Sequence, residues 1–216
     1  MPSAEPLRAA TGDALGTFVE LVDPSDRLRA ARAARVLLRE RDEVARAFAA
    51  EVAYYVPRSH EGSDADRLHA LRVECARVFL AEARADGDPV EFVPAFVGSF
   101  EFRPVPGAVP ALHALRRAGL ALACVSNWDM SLADLIEPLG LGGLLETVLV
   151  SADVGRPKPD PAIFGVALER LGVDAAHALH VGDSPADRDG ALAAGMRFEP
   201  APLATLPARL GLEATG

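Results

Sequence analysis

Apolar residues recur at helical spacing through the first part of the chain. Leu28, Ala31, Val36 and Leu37 form one set and Val44, Phe48, Val52 and Tyr55 another, a rhythm that lays a stripe along one face of a helix. The stretch PRSHEGSDAD interrupts it with Pro57, Gly62 and Ser63. Ser63 or Asp64 then stands where a cap would start a helix through Leu68, Leu71, Cys75 and Phe79. The block from Pro24 to Asp88 therefore predicts an antiparallel helical hairpin or small bundle.

From Pro104 onward the rhythm changes. Short apolar runs, GLALACVSN, ETVLVSAD, HALHVGDS and GMRFEP, alternate with the helical segments AVPALHALRRA, MSLADLIEPLG, PAIFGVALERLG and PADRDGALAAG. That alternation predicts a parallel sheet with crossover helices, and glycine at several helix ends suits the left-handed residue that closes a helix. LRAATGD, just before Asp13, supplies one further strand although Arg and Ala are weak strand formers. The pattern is an α/β core over residues 1–22 and 97–216, with a helical domain of residues 23–96 inserted after the first strand.

At 216 residues, 50% of them hydrophobic and 25% charged, the chain has material for a sizeable core plus a smaller domain. Its formal charge of -9 argues against a general electrostatic footprint for nucleic acid or anionic membrane, and small molecules become the expected partners. Cys75 and Cys124 form no redox pair or ligand cluster in the sequence and read as small buried hydrophobes, which suits the cytoplasm. The opening MPSAEPLRAATGD lacks the features of a signal peptide, and no apolar run reaches the roughly 18 residues of a membrane span. Neither export nor spanning is expected.

Polar residues stand at the ends of the expected strands: Asp13 and Thr17 after the first, Ser126 and Asn127 after the second, Lys158 in the loop after the third, Asp183 after the fourth. Ligands of open parallel sheets bind at the carboxyl ends of strands, so these residues have one place to converge. Taken singly, each has a plainer reading. Asp13, Gly16 and Thr17 suit a hydrogen-bonded turn, Ser126 or Asn127 a helix cap, and VGDSPAD a capped turn. Lys158 is the only lysine in the chain and lies between prolines in GRPKPDP. It is either a solvated loop residue or a compact point charge for a phosphate or a nucleophilic carboxylate, a role that the planar fork of arginine does not duplicate.

DALGT, VSNWD, GRPKPDP and HVGDSPAD together resemble, in order and separation, the four motifs of the haloacid dehalogenase-like hydrolase superfamily. The resemblance spans essentially the whole chain. It implies a three-layer Rossmann-like core with the helical block as an inserted cap. It further implies that Asp13 is a nucleophile forming an aspartyl intermediate, and that Ser126 and the backbone at Asn127 bind phosphoryl oxygens. Lys158 would steady nucleophile and phosphate, and Asp183, Asp13 and the Leu15 carbonyl would hold magnesium, a hard, oxygen-seeking ion. The substrate implied is a small phosphorylated molecule, with Thr17, Asn127, Trp128, Tyr54 and Arg58 as candidate contacts.

Two positions depart from the family pattern. Phosphatases of the superfamily usually carry a second aspartate two residues after the nucleophile, which protonates the leaving oxygen; here the residue is Leu15. The fourth motif commonly places its second acid, a further metal ligand, five residues after the first, whereas the candidate for that role here, Asp187, follows Asp183 by four, with Asp189 as a weaker substitute. A leucine suits a carbon–halogen hydrolase, whose leaving halide needs no proton, while the retained Asp183 argues for magnesium and phosphate. The phosphonate-cleaving branch needs a cap lysine, and this cap has none. A binding protein that keeps phosphate affinity without turnover is a third reading. In the cap, Glu51, Tyr54, Tyr55, Arg58 and His60 cluster near an expected helix end, as substrate contacts or as core and loop residues; Trp128 and Asp129 either line the pocket or pack and cap.

Overall fold

A computed structural model describes residues 6–31 and 40–212; Val36 and Leu37, assigned above to a helix face, lie outside them. In chain order the first elements are strands β1 (Ala9–Gly12) and β2 (Val19–Val22) and helices α1 (Ser25–Ala30), α2 (Arg41–Tyr55), α3 (Ala65–Glu82) and α4 (Pro89–Val97). Next come β3 (Glu101–Pro104), α5 (Ala108–Arg117), β4 (Ala121–Ser126), α6 (Leu132–Ile136), β5 (Thr147–Val150) and α7 (Ser151–Val154). The chain then continues through α8 (Ala162–Leu171), β6 (Ala178–Gly182), α9 (Pro185–Ala193), β7 (Arg197–Pro200) and α10 (Leu206–Arg209). Among the described residues no helix is long and apolar enough to cross a membrane.

The residues divide into two compact units, one running up to Glu20 and resuming at Arg103, the other Leu21–Phe102. Patterning set the insertion at 23–96. The contacts carry the second unit further because Val97 and Phe100 pack with its apolar cluster, Phe100 edge-on to Phe96 at 4.9 Å. The chain leaves the first unit within β2 and returns within β3, and these two strands pair as a small sheet of their own.

The first unit holds a five-stranded sheet in the order β5-β4-β1-β6-β7, with every neighbouring pair parallel. The weakest strand by composition, β1, lies at its centre with all four residues buried. Its alanines and glycine suit a position covered on both faces, where small side chains let helices approach. Ile163, Phe164 and Ala167 of α8 and Ala191 of α9 join Ala9, Val125, Leu149 and Ala178 in one cluster, while α5 also packs on β4.

In the second unit α2 packs on α3, and α3 on α4. The stripe on α2 is displaced from the sequence expectation. Val44, Ala47 and Glu51 are buried, and Val52 is exposed; an acid within the buried stripe concealed its true phase. Asp64, rather than Ser63, caps α3 by accepting the Arg67 N–H at 2.9 Å. The helical block runs past Asp88, which accepts the Val90 N–H and starts α4, with Pro89 at the first helical position. Phe79, Phe92 and Phe96 close the core with ring centroids 5.4–5.9 Å apart, pairs worth about 1 kcal/mol each beyond their area.

Candidate active site

Strand order brings the distant motifs together. Asp13 follows β1, Ser126 ends β4, Lys158 follows β5 and α7, and Asp183 follows β6, four strands that are consecutive in the sheet. Successive strands run outward from β1 on one side and then on the other, so the carboxyl end of β1 is the switch point where α/β sheets bind ligands. The Asp13 N–H donates to the Val181 carbonyl at 2.9 Å, fixing the start of the loop against β6. The loop then turns through Gly16 at φ +80°, where a Cβ would fall 2.0 Å from Oδ2 of Asp183. Glycine is thus required for the backbone and for the approach of the second acid.

Lys158 is buried and its ammonium is enclosed on three sides. Nζ donates to Oδ1 of Asp13 at 2.7 Å, to the Val125 carbonyl at 2.9 Å and to Oδ1 of Asp187. Burial opposes its charge, but Asp13 and Asp187 outweigh burial and raise its pKa above the ordinary lysine value. Asp187 in turn accepts from four donors: Lys158 Nζ and His180 Nε2 (3.3 Å) on Oδ1, and the Ser184 hydroxyl (2.6 Å) and N–H (3.1 Å) on Oδ2. Burial raises its pKa, and the bonds from His180, Lys158 and Ser184 more than reverse that effect, so it stays ionised.

His180 is wholly buried, and burial lowers its pKa. A neutral ring facing the carboxylate must carry its proton on Nε2, which leaves Nδ1 to accept from the Thr11 hydroxyl at 2.8 Å. One oxygen from each of Asp13, Asp183 and Asp187 lies within 4.8 Å of the others. Asp183 is the exposed member, and its pKa is raised by partial burial and by the charges of Asp13 and Asp187.

The sequence comparisons bear on this geometry. The family model for haloacid dehalogenase-like hydrolases matches residues 13–195, from the first acid of the cluster to beyond the last. The chain belongs to this family. It is 46% identical over 102 residues to haloacid dehalogenase-like hydrolase domain-containing protein 3 of Mus musculus, a match covering 47% of this chain and 41% of that protein. It is 36% identical over 154 residues to a phosphoglycolate phosphatase of Rhodospirillum rubrum, covering 71% and 56%. The matched stretches thus span about half the length of these curated relatives. A HAD phosphatase from Thermococcus onnurineus superposes with a TM-score of 0.65 over 96% of this chain and 99% of that one, at 24% identity, and shows the same fold.

The other residues expected at the site of this haloacid dehalogenase-like chain take distinct places. Thr17 is fully buried, and its Oγ1 has no hydrogen-bond partner among the described residues. Ser126 is buried at the end of β4. Asn127, whose backbone was expected at the phosphoryl group, uses its side chain on the Lys158 backbone: Nδ2 donates to its carbonyl at 3.0 Å, and Oδ1 accepts its N–H at 2.7 Å. Trp128 is buried, and its carbonyl accepts from the Ser151 hydroxyl at 3.2 Å. Asp129 accepts from the N–H and hydroxyl of Ser131, before α6. Asp189 pairs with Arg188 at 3.0 Å and is not a member of the acidic cluster.

Tyr54 and Arg58 belong to the helical unit, where the guanidinium lies 4.2 Å from the centre of the tyrosine ring and donates to the Tyr54 carbonyl. Tyr55 packs beside that unit's apolar cluster, Glu51 is buried with the Cys75 thiol as hydrogen-bond partner, and the buried Nδ1 of His60 has no partner among the described residues. Sequence reasoning missed Thr11 and His180 as parts of the site. The available signal was a histidine inside the otherwise apolar strand ALHVG.

Proposed function

We propose that this protein is a Mg2+-dependent phosphatase that hydrolyses a small phosphorylated metabolite through an aspartyl-phosphate intermediate at Asp13. The carrying observation is the arrangement around one carboxylate. Asp13 gives Oδ1 to Lys158, while a second, exposed acid, Asp183, is brought beside it across a glycine and has its pKa raised by burial and by the neighbouring charges. Two carboxylates so placed fit a hard cation with oxygen ligands. Asp13, Asp183 and the Leu15 carbonyl would hold it, and when bound it supplies charge neutralisation for phosphoryl oxygens. We assign Asp187 to holding Lys158 rather than to the metal, because both of its oxygens already accept hydrogen bonds.

In this reading the Asp13 carboxylate attacks phosphorus, and Lys158, bonded to its Oδ1 at 2.7 Å, orients it and meets the phosphoryl charge. Ser126, Thr17 and the Asn127 N–H orient the phosphoryl oxygens, since phosphoryl transfer asks mainly for positioning and charge stabilisation. The relative named as a phosphoglycolate phosphatase supports the reaction class. Cys75 and Cys124 are buried and not joined in a disulfide among the described residues, which supports a reducing, cytoplasmic setting.

Leu15 favours a second reading, a metal-independent carbon–halogen hydrolase, because halide leaves without a proton. Assay of a phosphate-ester panel with and without magnesium, alongside small haloacids, separates the two. Magnesium-dependent phosphate release that is lost in Asp13→Asn is the expected result. Halide release without metal, and no phosphate release, would replace the phosphatase reading with the second.

A further inference from the structure

Helix α9 carries a glycine in its interior. Gly190 is buried, next to Ala191 of the core cluster and one turn beyond Asp187 on the same face. Glycine at such a position weakens a helix relative to alanine, so the reason for it lies in the surroundings. A Cβ at Gly190 would fall 3.0 Å from the Pro159 carbonyl oxygen, 3.3 Å from the carbonyl carbon and 2.6 Å from Cε2 of Phe164. The bare α-carbon therefore lies against the backbone that directly follows Lys158. Gly165, in the interior of α8, is built differently: it is exposed, and a Cβ there would meet nothing within 4 Å.

Resting on the phosphatase reading, in which Lys158 meets the phosphoryl charge, we propose that Gly190 is a positioning residue, the seat on which the lysine loop rests against α9. The loop is held from two sides. From the end of β4, Asn127 bonds both the N–H and the carbonyl of Lys158. From α9, the Gly190 α-carbon sets how close the next residue, Pro159, can come. The same face of α9 supplies Asp187 to the ammonium, so one helix fixes both the side-chain end and the backbone of Lys158. A methyl group at position 190 has no soft neighbour to displace. The Pro159 oxygen belongs to the backbone, and Phe164 is fully buried with its ring edge-on to His180 at 4.9 Å. The lysine loop has to give by a few tenths of an ångström, and the 2.7 Å contact between Nζ and Asp13 moves with it.

The test compares Gly190→Ala with Gly165→Ala in phenyl phosphate hydrolysis with magnesium and in urea unfolding. Gly165→Ala should keep kcat and gain stability, as alanine does in a helix with room for it. Gly190→Ala should lose kcat by roughly 10- to 100-fold with KM little changed, the order of cost that misplacing a catalytic group carries. The lysine itself gives a readout separate from activity. Lys158 is the only lysine in the chain, so protein carrying isotopically labelled lysine gives a single side-chain ammonium signal by NMR, which should shift in Gly190→Ala and not in Gly165→Ala. Phe164→Leu, alone and combined with Gly190→Ala, makes room for the methyl on the ring side, and carries the test should the single variant fail to fold. The loss of kcat should persist in the double variant relative to Phe164→Leu. Recovery there, an unmoved ammonium signal, or a folded Gly190→Ala with wild-type kcat overturns the inference and leaves the phosphatase reading standing. Failure of both Gly190→Ala proteins to fold does the same, since Gly190 would then be structural only. Absence of phosphate release from the wild-type protein overturns the phosphatase reading, while the ammonium signal still decides whether Gly190 seats the lysine.

Discussion

The side-chain amide of Asn127 holds the backbone of Lys158 at both its N–H and its carbonyl, at 2.7 and 3.0 Å. The residue after β4 thereby fixes where the lysine loop after β5 stands, and with it the 2.7 Å contact between Nζ and Asp13. Asn127→Ala removes both bonds. The expected outcome is a fall in kcat of about 100-fold with a smaller change in KM, since displacement of a catalytic charge by about an ångström has that cost. Asn127→Asp keeps the acceptor and loses the donor, and steady-state kinetics should place it between wild type and alanine. A large KM effect with unchanged kcat would mean that Asn127 binds substrate directly.

Lys158→Arg keeps the charge but not the shape. The ammonium fills a buried site with three acceptors converging on one atom, whereas guanidinium is planar, larger and directs its donors in a fork. Turnover should fall by at least about 100-fold. Lys158→Gln leaves Asp13 and Asp187 facing each other without the cation and should cost ~3 kcal/mol of stability in urea unfolding, the usual result of breaking a buried ion pair on one side. Full activity in the arginine variant would return Lys158 to the status of a loop residue.

His180 bonds to Asp187, which holds Lys158 against Asp13, and so acts as a positioning residue. His180→Gln can still present an N–H toward Asp187, while His180→Leu cannot. Kinetics and urea unfolding measured together should show kcat partly retained in the glutamine variant and lost in the leucine variant at comparable stability. Equal kcat in the two variants would reduce His180 to a packing residue.

The helical unit carries its own pH dependence. Burial raises the Glu51 pKa from 4.5 to about 7, partly offset by the bond from Cys75. A folded-state pKa above the unfolded value means that the folded state holds the proton longer. The stabilising contribution is therefore complete below about pH 4.5 and is lost as pH rises through about 7. Glu51→Gln, which mimics the protonated acid, should come within about 1 kcal/mol of wild type near pH 5. At pH 8 it should be more stable, by up to about 3 kcal/mol for a shift of this size. Urea midpoints at the two pH values check this; an identical difference at both would mean that Glu51 does not titrate between them.

The motifs of the site were legible in the sequence because each ends a strand, and parallel topology puts strand ends on one edge of the sheet. β1 was legible mainly through the acid and glycine turn at its carboxyl end. Its own residues, Ala9–Gly12, are poor strand formers that are accommodated by burial on both faces. β2 and β3 left no readable signal, being four-residue strands of mixed exposure, one ending in Pro104. The role of the Asn127 side chain was hidden for a different reason. A side chain bound to the backbone of another loop leaves no spacing in the sequence, and neither does the pairing of His180 with an acid seven residues on.

The mechanism depends most on Asp13 carrying the phosphoryl group. The direct measurement is acid quenching of the wild-type protein during turnover of acetyl phosphate with magnesium, with mass mapping of its peptides afterwards. One added phosphoryl group is expected on the peptide containing Asp13, chased away as phosphate is released, and none in a folded Asp13→Asn variant. Phosphate release by that variant, or steady turnover with the phosphoryl group on a residue other than Asp13, would contradict the assignment of Asp13 as nucleophile.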